Sequence, residues 1–237
     1  MAGRGWGNRW KRMVENGNIE GRLRVRPVRV STGAAPIGLR TLERSGYLYV
    51  PASYWPERPA PLAVLLHGAG EDTRDGLALL RAHADEAGLI LLALRSRGPT
   101  WDFISGGYGP DVAAIDQALE EAFSACAVDP SRVAVGGYSD GASYALSLGI
   151  TNGDLFTHVM AFSPGFMAPA GQAGSPRIFV SHGTRDGWLP IERCSRRVVP
   201  QLQRAGYDVT YREFDGPRVV PPMIGREATN WFITGQD

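Results

Sequence analysis

Three short stretches carry residue types that can do chemistry together: His67-Gly68-Ala69-Gly70, Gly137-Tyr138-Ser139-Asp140-Gly141 and His182-Gly183-Thr184-Arg185-Asp186. The middle one follows an apolar run and precedes a helical pattern. In that setting G-x-S-x-G makes a tight strand-to-helix turn that lifts the serine hydroxyl into the open. The helix start beneath it supplies backbone N–H groups and a partial positive charge. Ser139 is therefore the candidate nucleophile; the bland reading is a helix-capping serine in a Gly-rich turn. Asp186 comes later, after another apolar run, where a carboxylate can orient an imidazole and stabilise its charged form. Read blandly, it caps the next helix. The small residues after His67 let backbone N–H groups approach a ligand, and His67 is expected to brace that loop rather than to titrate. Together these pieces imply acyl transfer through a serine.

Such residues need a scaffold that brings them to one place. Apolar runs predict strands at 23–30, 46–50, 62–66, 89–94, 133–137, 158–162, 178–181 and 209–214, with Pro27 marking the first as an edge strand. Helical spacing of apolar residues predicts helices at 75–86, 111–127, 142–148, 191–205 and 222–233. This alternation implies an α/β fold with a mostly parallel sheet of about eight strands and helices on both faces. Ligands in such sheets sit at the carboxyl ends of the strands, where all three stretches lie. The loops leave no room for a separate cap domain. Residues 23–237 read as a single domain preceded by a basic arm over residues 1–22.

Composition narrows the function. A chain of 237 residues with 43% hydrophobic content can bury a sizeable core. Lys+Arg 25 against Asp+Glu 24 argues against nucleic acid as the main partner. Lys11 is the only lysine, which excludes a lysine-centred mechanism unless that residue carries it. Cys126 and Cys194 cannot make a disulfide scaffold, and the histidines lack metal-ligand spacing, so no metal is expected. No apolar run is long enough to cross a membrane, and the N-terminus lacks the apolar core of a signal peptide. The expected location is cytoplasmic, or the chain is a mature form without its leader.

With the HGAG, GYSDG and HGTRD stretches in order, followed by Asp215-Gly216-Pro217-Arg218-Val219-Val220-Pro221-Pro222, the sequence resembles the α/β-hydrolase superfamily. Within it, the resemblance is to small phospholipase/carboxylesterase-like serine esterases, a group that includes bacterial esterases and relatives of feruloyl esterases. It covers roughly residues 45–233. It implies the α/β-hydrolase fold and hydrolysis of carboxylic esters without metal or organic cofactor, the partner being a small-molecule ester or carboxylate. It also implies an oxyanion hole made by the N–H groups of Ala69 and Asp140, with Gly68 beside the substrate. Trp101, Tyr138 and Trp188 would then line an aromatic pocket, although each ring could equally serve packing.

The resemblance breaks at one position. Family members carry the catalytic histidine after the last strand, in a G-x-H-x-x-P-like context. Here Arg218 holds that place, and no histidine follows His182. A guanidinium has no acceptor nitrogen and cannot take the serine proton. Loss of the base typically lowers turnover about 10⁴- to 10⁶-fold. Arg218 suits a bidentate pair with Asp186. His182 is expected to point into the scaffold, and His83 and His158 to be structural. Three accounts of Arg218 stand open. It is a deliberate substitution that disables or redirects a working esterase, a natural change in a protein that binds without hydrolysing, or a sign that a histidine arrives from elsewhere. The fit of the surrounding residues favours the first. The expectation is an esterase scaffold with impaired or redirected hydrolysis; the alternatives are a non-hydrolytic binding protein or a different oxyanion-stabilised reaction. A homodimer stays open.

Overall fold

The computed structural model describes residues 21–27, 37–42, 46–105 and 107–235. Eight strands form one sheet: β1 (Gly38–Leu42), β2 (Gly46–Val50), β3 (Ala60–Leu66), β4 (Ile90–Leu94), β5 (Val128–Tyr138), β6 (His158–Phe162), β7 (Arg177–Gly183) and β8 (Val209–Phe214). Their spatial order is β1-β2-β4-β3-β5-β6-β7-β8. β1 and β2 pair antiparallel with each other, and β2 with β4; every other pairing is parallel. The helices are α1 (Thr73–Ala87), α2 (Asp102–Ser105), α3 (Pro110–Ala125), α4 (Asp140–Thr151), α5 (Ser195–Arg204) and α6 (Pro222–Thr234).

All seven residues of β3 are buried, as a central parallel strand requires. Leu62, Val64 and Leu66 of β3 join a core with Ile115 and Leu119 of α3, Leu146 of α4 and Leu202 of α5. Ala63 and Leu65 face the other way, into a core with Leu77 and Leu80 of α1 and Ile224 and Trp231 of α6. The period of two along the strand therefore puts helices on both faces, as the alternation predicts. Among the described residues no helix is long and apolar enough to cross a membrane.

Three elements differ from the sequence reading: the N-terminal segment, the edge strand, and the short helix α2 (Asp102–Ser105), where no helix is expected. Residues 22–27 form no strand, and 28–30 lie outside the described residues. Buried Asn152 holds this segment instead, accepting from the Leu23 N–H at 2.8 Å and donating to the Gly21 carbonyl at 2.8 Å. Arg22, at the end of the expected basic arm, and Arg26 both pair with Asp154 at 2.7 Å; residues 1–20 lie outside the described residues. The edge strand is β1, which no apolar pattern announces because only Leu42 of it is buried. Residues 163–176 run from β6 to β7 without a helix, as in the sequence reading, which places none there. Hydroxyls at helical spacing on α4 hold that crossing. Ser143, Ser147 and Thr151 accept from the N–H groups of Gly165, Ala168 and Ala170. The last two hydroxyls also donate one turn back along the helix.

His158 gives the fold a pH dependence. Its ring packs edge-on against Trp231 and Phe232, with centroids 5.1 and 5.0 Å away. Burial, and then Arg177, push its pKa down to about 4. The unfolded chain takes up that proton near pH 6.5, roughly. The native state is thus favoured fully above the unfolded value, and this contribution is lost as pH falls from there toward 4. Buried His182 is shifted in the same direction. Urea midpoints should fall from about pH 6.5 to about pH 5, before most carboxylates titrate. His158→Phe should flatten that slope, and an unchanged slope would contradict the assignment.

Candidate active site

Ser139 sits between β5 and α4 with φ 55° and ψ −117°. A non-glycine residue at positive φ costs about 1–3 kcal/mol and persists only where its surroundings over-determine it. Here the Ser139 N–H donates to the Phe162 carbonyl at 2.9 Å, and its own carbonyl accepts from the Ser143 N–H at 3.0 Å. The flanking glycines are sterically required. A Cβ on Gly137 would lie 2.4 Å from the Gly141 carbonyl, and one on Gly141 would lie 2.2 Å from the Leu66 carbonyl. The G-x-S-x-G spacing thus reflects α4 packed hard against the ends of β3 and β5.

The loop after β3 is braced as expected of His67. The Ser96 N–H donates to His67 Nε2 at 3.1 Å, so Nδ1 carries the proton and donates to the Gly68 carbonyl at 2.7 Å. Gly68 itself is not open to a ligand through its N–H, which donates to Glu71 Oε2 at 2.7 Å. The N–H groups of Ala69 and Asp140 have no protein acceptor among the described residues. The Asp140 carboxylate is turned aside, taking the Thr100 hydroxyl at 2.8 Å.

Trp101 does not line the site. It is 1% exposed, lies 5.0 Å from the His67 ring and 5.3 Å from Tyr144, and donates its indole N–H to the His67 carbonyl at 2.9 Å. The sequence placed this large ring in a loop, but the loop folds inward because the aromatic cluster beneath it has room for the ring and a carbonyl to satisfy the N–H. Trp188 is the opposite case, 81% exposed beside the site.

Asp186 is buried after β7. Its Oδ1 accepts from the N–H groups of Trp188 and Leu189 at 2.9 and 2.8 Å. Its Oδ2 is buried without any hydrogen-bond partner. His182 Nε2 stands 3.4 Å from that oxygen, but its N–H is engaged by the Leu189 carbonyl at 2.9 Å. Because that carbonyl can only accept, His182 Nδ1 is the acceptor of the Ser195 hydroxyl at 2.6 Å. Burial lowers the His182 pKa against the opposing pull of the Leu189 carbonyl and Asp186. The ring is a neutral strut with both nitrogens occupied, as its expected place in the scaffold requires.

Arg218 closes the site. Its Nη1 donates to Ser139 Oγ at 3.0 Å. The expected bidentate pair with Asp186 is not formed: no ion pair within 4.0 Å joins them among the described residues. The loop geometry is the reason. The Arg218 carbonyl accepts the Tyr138 hydroxyl at 2.7 Å, whose pKa burial raises, and the guanidinium lies 5.9 Å from the Tyr138 ring and 5.5 Å from the Trp188 ring. The loop's backbone is pinned as well, since the Arg185 N–H donates to the Gly216 carbonyl at 2.9 Å. A Cβ on Gly183 would lie 2.4 Å from the carbonyls of Gly216 and Pro217. Tyr138 and Trp188 therefore flank Arg218 and through it the serine.

Sequence reasoning overlooked Ser163, Thr100, Glu71 and Ser195. Ser163 follows β6 with φ 54° and a buried hydroxyl lacking any partner. Its only signal in the sequence is a Ser-Pro-Gly after a strand. The other three act by holding Asp140, Gly68 and His182; the Thr100 and Ser195 contacts bridge separate elements, whereas Glu71 reaches back only three residues to the Gly68 N–H.

No family model matches the chain. Over 178 residues it is 29% identical to the "Putative esterase NocK" of Nocardia uniformis subsp. tsuyamanensis, a match that covers 70% of this chain and 46% of that protein. The chain thus spans about half the length of the curated relative it matches. Among solved structures, esterase PE8 superposes with a TM-score of 0.65 at 23% identity, over 82% of this chain and 98% of that one. The Bacillus cereus carboxylesterase superposes at 0.60 and 18%, over 81% and 94% of the respective chains. An S-formylglutathione hydrolase from Agrobacterium tumefaciens gives 0.62 and 17%, over 87% and 99%. With the strand order above, these likenesses show that the chain has the α/β-hydrolase fold.

Proposed function

We propose that the chain is a carboxylic-ester hydrolase scaffold in which Ser139 is the nucleophile, the N–H groups of Ala69 and Asp140 form the oxyanion hole, and proton transfer fails. The observation that carries this reading is the hydrogen bond from Arg218 Nη1 to Ser139 Oγ. A base must accept the serine proton at that position, and a guanidinium only donates. The likeness to esterases and Asp186 Oδ2, buried without a hydrogen-bond partner because nearby His182 gives its N–H to the Leu189 carbonyl, support the same view.

Arg218 does not leave Ser139 inert. An alkoxide 3.0 Å from a guanidinium gains about 5 kcal/mol at an effective dielectric constant near 20. An activated ester can then be attacked, its carbonyl oxygen taking the negative charge in the oxyanion hole and p-nitrophenolate leaving as an anion. The serine proton passes to bulk water. Release of the acyl group needs a deprotonated water, and Arg218, the side chain beside Ser139 Oγ, cannot act as the base that makes one.

The expected result with p-nitrophenyl acetate is a slow release of at most one equivalent of p-nitrophenolate, an acetyl adduct on Ser139 by mass spectrometry, and neither in Ser139→Ala. Sustained turnover near the enzyme median of about 10 s⁻¹ would refute the reading. Complete absence of an adduct would favour the second reading, a non-hydrolytic binding protein. That reading has its own support: the Arg218 guanidinium has no acidic partner within 4.0 Å among the described residues.

A further inference from the structure

We propose that the mouth of the Ser139 site is a receptor for an organic monocarboxylate with an apolar body, its carboxylate gripped by the Arg218 guanidinium. This deepens the function proposed above and rests on its placement of Arg218, but not on Ser139 acting as a nucleophile.

Arg218 has no ion pair within 4.0 Å among the described residues, and it differs from several arginines that acids neutralise. Arg177, Arg185, Arg196 and Arg212 each pair with an acid, namely Asp208, Asp215, Glu213 and Glu227. Arg218 gives one N–H to the neutral Ser139 hydroxyl. The acids near it are held by other donors. Asp186 Oδ1 takes two backbone N–H groups, Glu71 takes the Gly68 N–H and Asp140 takes the Thr100 hydroxyl. The remaining guanidinium N–H groups form a fork matched to a carboxylate. Its position between the Tyr138 and Trp188 rings, with its own carbonyl tied to Tyr138, fixes that fork in advance. Preorganisation of this kind lowers the entropy lost on binding.

The body of the ligand is set by the apolar side chains beside Arg218. Trp188, whose ring lies 5.5 Å from the guanidinium, is 81% exposed, and Val219, the next residue along the chain, is 45% exposed, an apolar edge beside a charged centre. A ligand with a carboxylate head and an aryl or alkyl body meets both. Multiply charged anions are disfavoured, because Asp186, on the loop that carries Trp188, and Glu71, bound to the Gly68 N–H, already bring negative charge to the site. Their charges offset part of the guanidinium field, so a single negative charge in direct contact is the fitting partner.

The test is calorimetric titration of phenylacetate against neutral phenylacetamide, which shares its body. On the unsubstituted chain phenylacetate should bind at least about 10-fold more tightly, the difference expected of one charge-assisted contact. Arg218→Gln should abolish that preference, Ser139→Ala should keep it, and Trp188→Ala should weaken both ligands. Each variant is first matched to the unsubstituted chain by thermal unfolding. Acid and amide binding alike, or a preference that survives Arg218→Gln, would overturn the proposal. The two ideas fail separately. A Ser139 adduct from p-nitrophenyl acetate without carboxylate preference sinks only the receptor, whereas carboxylate preference without an adduct sinks only the nucleophile.

Discussion

Replacing Arg218 by histidine is expected to raise kcat/KM for p-nitrophenyl butyrate by at least about 10²-fold, the lower end of what a positioned general base supplies. Arg218 Nη1 already reaches Ser139 Oγ, so the loop delivers a side chain to the place where a base must act. The loop is pinned by backbone contacts, the Tyr138 hydroxyl on the Arg218 carbonyl and the Arg185 N–H on Gly216, and these do not depend on the side chain replaced. The imidazole would also find its orienting partner, because Asp186 Oδ2 is buried and unpartnered while Oδ1 is held by two N–H groups. A buried carboxylate oxygen without a donor is unfavourable by about 1–3 kcal/mol, and an imidazole N–H would relieve this. The gain should therefore vanish when Asp186→Asn is added, since the amide no longer stabilises the imidazolium. A rate unmoved by Arg218→His would show that Arg218 is not in the place of the base. A rise that survives loss of Asp186 would remove Asp186 from the acid's role.

The second large effect is on stability. Trp101→Ala is expected to destabilise the fold by about 3–5 kcal/mol, the range for emptying a large buried aromatic site. The loss has two sources. The ring packs between His67 and Tyr144, and its N–H satisfies the buried His67 carbonyl. Trp101→Phe separates them by keeping most of the packing and dropping the donor, with an expected cost of about 1–3 kcal/mol. Denaturant midpoints measure both. Neither variant should change which acyl chain is preferred, because the ring does not reach the site. A marginal loss of stability with altered ester preference would return Trp101 to the substrate pocket.

The scaffold was legible in the sequence because its signals are local. A strand buried on both faces must be apolar throughout, and β3 and β4 are. The glycines around Ser139 were legible because an added Cβ would meet neighbouring backbone at 2.2–2.4 Å, which leaves no other residue possible. What stayed hidden rests on contacts between distant segments. The edge strand β1 exposes most of its residues, so it lacks a pattern. The serine and threonine row of α4 reads as a weak helix, yet it carries the crossing from β6 to β7.

The sequence by itself determined the order of the chemical groups: a serine at a glycine-flanked turn, a later aspartate, and an arginine where an acceptor was needed. Those are facts of residue type, and a guanidinium cannot accept a proton in any fold. Only the tertiary structure decided whom that arginine touches. A long side chain can turn toward either neighbour, and Tyr138, Trp188 and the pinned loop direct it to Ser139 and away from Asp186. Likewise, only packing could separate the two tryptophans. Trp101 finds a cavity and a carbonyl for its N–H and is buried, whereas Trp188 meets solvent and stays at the rim.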